Sequence, residues 1–565
     1  MIENTPASEY IGRSGVCFAG CHSRRIWLKT LVNKERVVAM VEVKVAAKGI
    51  RKIMFVRPPG RLWPIINESD NFLLPLGFPC LAAYLRDRMP EIEIKIIDCL
   101  PLQIGWKSLR RIIREYQPDV FGVGDMIIYM QEGIRACQIA KEEAPGVVTV
   151  GGGHFHSHMP EYSLNQYPVL DYIIRWEGEE AFHQLIKTLR DGGDLSRVGN
   201  LAYRDENGAV QTTKPLPLID PLDELPIPAY DLVPVTKYSP FGKLWPKAIT
   251  IQGSRGCPYN CNFCAWTALE GDHVEINGKI KPVPVYRAKS AERILEEIDL
   301  LYNKYDVRYL FWAEGTWNYD NDMMDKLSEG IIKRGYKLGW WAFTRADKLL
   351  EQERLGILEK MVRAGFSPAL FGGERPENSE LDFIGKTGLT SDALMDACHL
   401  LERKYPTVFR QSTFITGIRT ETPETMYHLG KYSRDCHLDF AAYHPVMPYP
   451  GTPLFTEAKQ KGWIEEWDFS KYDMFYPIMS SETMTREQIA TINEKLYLSF
   501  VQRQPLRYLR GMLSPIRIRR RLHWWFMTSM IRVVLLDLWR AIRGKKSFDG
   551  FAATSKLWKP TWYDN

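Results

Sequence analysis

Short apolar runs separated by helix-length segments recur along the chain in two long stretches. The first stretch opens with Ile53–Val56, closed by the turn-forming Pro58-Pro59-Gly60. Further runs fall at residues 92–98, 119–126, 146–153 and 171–176. Segments such as "GFPCLAAYLRDRM" (Gly77–Met89) and "MQEGIRACQIAKEEA" (Met130–Ala144) lie between them. This alternation predicts βαβ units on a parallel sheet, so residues 51–195 are expected to form an open, doubly wound, Rossmann-like α/β domain.

Five prolines between Pro215 and Pro228 exclude a helix or a central strand there, and residues 196–245 read as a linker. The second stretch follows, with strand-like runs at 248–252, 307–313, 338–344, 367–373, 411–417 and 438–445. About six βα units over 246–465 predict a full or partial α/β barrel. Residues 1–50 show mixed charge without a period and read as an extension. Residues 466–565 read as a helical, basic, Trp-rich region. Within it, 505–546 is too broken by charge to span a bilayer. It reads either as a cap on the barrel or as a helix lying on an anionic membrane surface or against an apolar substrate carrier.

Composition narrows this picture only a little. Apolar residues make up 45% and charged residues 25%, as in ordinary globular proteins, and a net charge of +6 over 565 residues gives no argument for nucleic acid. No secretory leader pattern stands at the start, which makes the cytosol the expected compartment. Thiols there stay reduced, so a tight cysteine cluster points to metal rather than to disulfides.

Such a cluster stands in "GCPYNCNFCAW", where Cys257, Cys261 and Cys264 form a C-x3-C-x2-C pattern. Three thiolates can hold three corners of a [4Fe-4S] cubane and leave the fourth iron open. Structural zinc needs four closed ligands, and His273 is too distant in sequence for the usual short ligand pair. Cys17 and Cys21 are four apart but have no third partner nearby. An electron-transfer cluster would call for a fourth cysteine, and none is near.

The pattern, with Phe263 before the last cysteine, resembles the radical S-adenosylmethionine (SAM) superfamily. That resemblance implies a partial (β/α)6 radical SAM barrel in which SAM chelates the open iron and is split to a 5′-deoxyadenosyl radical. It also implies SAM-binding roles at successive strand ends. Phe263 would lie by the adenine, Glu314 hold the ammonium and Arg345 pair with the carboxylate. Glu374 would reach the ribose, and Gly417 would allow close approach of the adenine. No side chain is identified as a general acid or base. Tyr319, Arg375 and His444 lie near strand ends, where a structural role is the stronger reading.

The first stretch resembles the cobalamin-binding domain that precedes many such barrels. The matching blocks are Gly151, Gly152, Gly153 and His154, then Glu177, Gly178 and Glu179. The Asp-x-His-x-x-Gly motif that places histidine on cobalt is absent. His154, His156 and His158 alternate as residues lining one side of a strand end would. Two readings of the domain stand: it binds cobalamin without a histidine on cobalt, or it has lost cobalamin and shapes the substrate site.

The whole layout resembles the group containing the anaerobic Mg-protoporphyrin monomethyl ester cyclase. It implies a large apolar substrate and reduced ferredoxin or flavodoxin as electron donor. The first reading is oxidation of a peripheral alkyl group of a tetrapyrrole in bacteriochlorophyll biosynthesis, as in hydroxylation of a methyl group. The alternative is cobalamin-dependent C-methylation of a tetrapyrrole, isoprenoid lipid or natural product. Seventeen tryptophans, with "LGWW" in a barrel strand and "HWWF" in the tail, suit a flat apolar substrate, although core packing accounts for most of them.

Overall fold

Unbroken Val, Ile and Phe runs make strands that are covered on both faces, as parallel sheets require. In the computed structural model, which describes residues 49–61, 73–124, 127–238, 247–543 and 559–565, they build two sheets. The N-terminal extension with Cys17 and Cys21 lies outside the described residues, apart from Gly49 and Ile50.

The first sheet contains β1 (Lys52–Arg57), β2 (Glu93–Asp98), β3 (Val120–Gly124), β4 (Val148–Gly152), β5 (Tyr172–Ile174), β6 (Leu201–Arg204) and β7 (Val210–Thr212). Its order is β2-β1-β3-β4-β5-β6-β7. The strands from β2 to β5 run parallel, and the order reverses between β1 and β3. Ligand crevices in doubly wound sheets open at the carboxyl ends beside such a reversal. The sheet does not stop at residue 195. β6 and β7 add an antiparallel hairpin inside the expected linker, because short strands flanking a turn can extend a sheet edge without a crossover helix. The Pro-rich segment after them carries only short 3-10 turns, and Leu222, Leu225, Ala229 and Tyr230 anchor it in the core.

The second sheet begins with β8 (Ala248–Ile251). Beyond it, β9 (Ser254–Cys257) returns to pair antiparallel with β12 (Val285–Ala288), around a hairpin of β10 (Asp272–Ile276) and β11 (Lys279–Val283). Asn277 and Gly278 both take positive φ in the tight turn of that hairpin, as a two-residue type I′ turn demands. Then come β13 (Tyr309–Trp312), β14 (Gly339–Thr344), β15 (Phe366–Glu374), β16 (Arg410–Thr416) and β17 (Phe440–Pro445). The six main strands pair in parallel in the order β17-β16-β15-β14-β13-β8, an open, partial barrel.

One apolar core joins the two halves. Ile127, Met130 and Phe155 from the first pack with Ile415, Val446, Met447 and Phe469 from the second. The helix Arg486–Gln502 then closes over β17, where the Tyr497 hydroxyl donates to Tyr443 O at 3.1 Å. The chain is an α/β protein with a helical C-terminal region. No described helix is long and apolar enough to cross a membrane.

Candidate functional site

Cys257 ends β9, and Cys261 and Cys264 follow in the turn that leads into the helix Ala265–Glu270. The turn is held by its backbone rather than by its thiols. Asn262 N donates to Ile384 O at 3.0 Å, and Leu454 N donates to Asn262 O at 2.9 Å. Cys257 Sγ lies 3.4 Å from Thr316 Oγ1. A Cβ at Gly315 would stand 3.2 Å from Cys257 Cβ, so the segment after β13 packs closely against this cysteine. Burial pushes the Cys264 thiol up to about 12, and the Cys261 and Cys257 thiols push the same way. Burial also raises Cys261. Three thiolates gathered here need a cation between them. No three His, Cys, Asp or Glu side chains among the described residues close on a single-ion site, and His273 Nε2 is 2.9 Å from Ala268 O. The donor set therefore fits an iron–sulfur cluster better than one zinc ion.

The residues expected to serve SAM come to the same end of the barrel but differ in surroundings. Arg345, after β14, stacks its guanidinium 3.7 Å from the ring centre of Tyr259, inside the cysteine turn. It also pairs with Asp347 at 3.0 Å and donates to Thr387 O at 3.1 Å. Glu374 takes positive φ at the end of β15 and accepts from Lys386 Nζ at 2.8 Å. Phe263 packs into the core that joins the two halves.

Glu314 is 1% exposed and turns toward the cluster strand, accepting from Gly253 N at 2.6 Å and from the Ser254 hydroxyl. Burial pushes its carboxyl up to about 7. At Gly417 (φ +73) the space a Cβ would take is bounded by Ile489 Cγ2 at 3.1 Å. The close approach expected there is thus to the helix Arg486–Gln502, because that helix crosses the strand end. Arg375 is fully enclosed by Glu380, Glu421 and Ile415 O, as its structural reading has it. His444 Nδ1 lies 3.2 Å from Met474 O. Tyr319 packs edge-on against Tyr259 and Tyr286. Tyr259, Tyr286 and Thr316 were not singled out from sequence, since each is an ordinary residue type whose place depends on the fold.

In the first domain, Gly151 and Gly152 end β4, and Gly153 (φ +86) turns the chain into the short helix His154–His158. The three histidines are therefore helical rather than strand-like. A helix puts positions four apart on one side, so the His154 and His158 rings face each other at 5.1 Å. His156 points elsewhere, with Nδ1 2.9 Å from Ser163 Oγ. Burial lowers His154 to about 4, so it is a neutral imidazole at pH 7. Four buried polar atoms here have no hydrogen-bond partner among the described residues: His154 Nε2, His158 Nε2, Arg175 Nη1 and Trp176 Nε1. They cluster at the carboxyl ends of β4 and β5, and Trp176 itself takes positive φ. Unpaired buried polar atoms on this scale call for a polar-fringed ligand. The amide-edged corrin of cobalamin is of that kind, so the residues fit it.

The second expected cobalamin block behaves differently. Glu177 accepts from Arg287 Nη2 at 2.7 Å and from Arg255 Nη1 at 3.1 Å, and Glu179 accepts from Arg255 Nη2 at 2.5 Å. A Cβ at Gly178 would lie 3.2 Å from Leu81 Cδ2, so this glycine lets the helix Gly77–Arg88 approach. Carboxylates seek guanidinium partners, and here those come from the cluster strand and its neighbour.

Fold and site together define an enzyme that pairs a ligand-binding Rossmann-like domain with a three-thiol barrel. Comparison with known proteins places it more closely. Residues 62–186 match the B12 binding domain, and residues 251–432 match the radical SAM superfamily. The chain is 30% identical over 460 residues to the uncharacterized methyltransferase PH0819 of Pyrococcus horikoshii, covering 80% of this chain and 93% of that protein. It is 28% identical over 419 residues to the anaerobic magnesium-protoporphyrin IX monomethyl ester cyclase of Rubrivivax gelatinosus, covering 73% and 71%. Its fold matches the cobalamin-dependent S-adenosylmethionine radical enzyme OxsB with a TM-score of 0.62 at 17% identity, over 86% of this chain and 72% of the other. The chain belongs to the B12-binding radical SAM superfamily. Its cofactors are a [4Fe-4S] cluster, SAM and cobalamin.

Proposed function

We propose that the protein is a cobalamin-dependent radical SAM C-methyltransferase that acts on a large apolar substrate. The observation that carries this reading is the set of unpartnered atoms, His154 Nε2, His158 Nε2, Arg175 Nη1 and Trp176 Nε1, at the carboxyl ends of β4 and β5. Such a set suits a retained cofactor better than a domain that has lost one. The similarity to a methyltransferase over nearly that relative's full length supports the same reading and reverses the order of the two sequence readings.

When bound, the cofactors supply radical chemistry at an unactivated carbon and a transferable methyl group. Cys257, Cys261 and Cys264 would hold the cluster. Arg345 and Glu374 offer a cation and a carboxylate on either side of the cysteine loop, suited to the charged and hydroxyl groups of SAM. Phe263 adds an apolar surface. Glu314 and Gly417 act instead through packing, the first by holding Gly253 and Ser254 and the second by admitting Ile489. His154, Arg175 and Trp176 would hold cobalamin, with Gly151 to Gly153 shaping the turn that presents His154.

An aromatic floor suits the substrate. Phe311 stacks on Trp341 at 4.1 Å, and Trp341 meets Phe343 edge-on at 4.6 Å. These rings lie on the sheet face opposite Trp312, which packs on the helix side near Ile294. Reduced ferredoxin or flavodoxin serves as electron source. The helix Arg517–Ile542 docks on an anionic membrane surface, where apolar substrates collect.

A second reading, oxidation of a tetrapyrrole side chain, is favoured by the similarity to the Rubrivivax cyclase. Isotopes separate the two. Chlorins and isoprenoids are offered to the anaerobic enzyme with methyl-labelled SAM in oxygen-18 water. Methylation puts the methyl label in the product. Oxygen-18 in the product with no methyl label would replace the first reading by the second.

A further inference from the structure

We propose that the Glu177-Gly178-Glu179 turn is a positioning clasp that fixes the cluster strand against the cobalamin domain. Arg255 lies on β9, two residues before Cys257, and Arg287 lies opposite it on β12 in the same antiparallel register. The ribbon therefore presents both guanidinium groups to one turn of the first domain. Glu177 takes one hydrogen bond from each arginine, and Glu179 takes two from Arg255, at 2.5 and 3.3 Å. All four side chains are at most 10% exposed.

The grip extends further. Glu177 Oε2 accepts from Ile219 N at 3.0 Å, and Arg287 Nη1 donates to Ile219 O at 2.5 Å, which ties in the Pro-rich segment. On the other side, Gly256 N donates to Glu270 Oε2 at 2.8 Å, and Val285 O fills the space beside Gly256. Cys257 thus ends a strand gripped from several directions.

Buried ion pairs contribute little net stability compared with apolar packing of similar volume. What such a network supplies is register, since each charge is satisfied in only one arrangement. Two residues along a strand span about 7 Å, so the grip on Arg255 passes directly to the first thiolate. Glu177 and Glu179 are positioning residues, their carboxylates taken up by Arg255, Arg287 and Ile219 N. Their role is to set the distance between two cofactors that act on one substrate, and it rests on the function proposed above.

The test uses holoenzyme with a reduced cluster and cobalamin in its paramagnetic cobalt(II) state. Pulsed EPR reads the distance between the two spins, and hydrogen exchange reads the amides of 254–257 and 285–288. The Glu177→Gln/Glu179→Gln variant is expected to keep iron and cobalamin, to broaden the distance distribution, and to lose exchange protection in both strands. If it fails to fold, Glu177→Asp/Glu179→Asp carries the same test, with each carboxylate pulled back by one methylene. An unchanged distance distribution and unchanged protection would overturn the clasp. If neither wild type nor variant retains cobalamin, the proposed function fails. Hydrogen exchange then decides the clasp alone, with lost protection upholding it and retained protection overturning it.

Discussion

Arg410 and Asp439 face each other in the barrel wall as a fully buried bidentate pair. Arg410 donates from Nε to one carboxylate oxygen and from Nη2 to the other, both at 3.0 Å. Asp439 also accepts from Arg519 at 2.6 Å, which ties the C-terminal helix to the barrel. Burial works against its charge, yet Arg410 and Arg519 hold its carboxyl well below the usual carboxylate range. Removing one partner of a buried pair leaves a bare charge, so Asp439→Asn is expected to cost about 3–5 kcal/mol at pH 7. A carboxylate depressed by folding adds stability that is complete above its unfolded value, near 4, and lost as pH falls toward its folded value. The stability gap between wild type and variant should therefore narrow below about pH 4. Urea midpoints at neutral and acid pH measure it, and a constant gap would contradict the assignment.

Gly256 adopts φ +82, with Val285 O standing where a side chain would begin. Gly256→Ala must pay for a left-handed backbone, about 1–3 kcal/mol, and also displace a strand carbonyl. The expected result is a lower melting temperature together with less iron per chain, because the shift reaches Cys257. Normal iron content in a destabilised variant would show that the thiol is placed independently of its strand.

Cys261→Ala should do the reverse. The turn is fastened by Asn262 to Ile384, Phe383 and Leu454, so folding survives the loss of one thiol. Iron content and visible absorbance should fall, and 5′-deoxyadenosine formation from SAM and dithionite should stop. Turnover at the wild-type rate would remove Cys261 from the ligand set.

The helix Arg517–Ile542 exposes Trp524, Ile531, Leu535, Leu538, Trp539 and Ile542. At 100° per residue these six fall within an arc of about 100° and run about 27 Å along the helix. Leu506, Leu509 and Leu513 add exposed apolar surface just before it, and Arg517, Arg521 and Arg543 are exposed beside the stripe. Wild-type protein should float with vesicles containing anionic lipid, and less so at high salt. Trp524→Glu and Leu538→Glu each remove about 1.5–3 kcal/mol of apolar burial, roughly tenfold or more in binding. Equal binding to neutral vesicles, or no change in the variants, would contradict surface docking.

Much of this architecture was legible because strand and helix alternate with clear punctuation. The cysteine spacing carried its own chemistry. The β10–β11 hairpin was legible too, through Asn277-Gly278 between strands of alternating apolar and polar residues, a signal the sequence reading did not take up. The histidine triplet was misassigned because alternate spacing fits a strand, while the positive φ of Gly153 starts a helix there. Glu177 and Glu179 could not be placed from sequence, since their arginine partners lie about eighty and more residues away, at Arg255 and Arg287. Gly417 carried the right backbone signal, but what fills the space beside it depends on a helix that comes much later in the chain.

On the proposed function, this chain brings a methyl group from SAM to cobalamin beside a three-thiolate cluster. The most direct measurement gives the anaerobic, fully loaded enzyme methyl-labelled SAM and a low-potential reductant, then follows the label by mass spectrometry. The label should appear on protein-bound cobalamin. A loaded enzyme that leaves all of it in SAM and methionine would contradict the account.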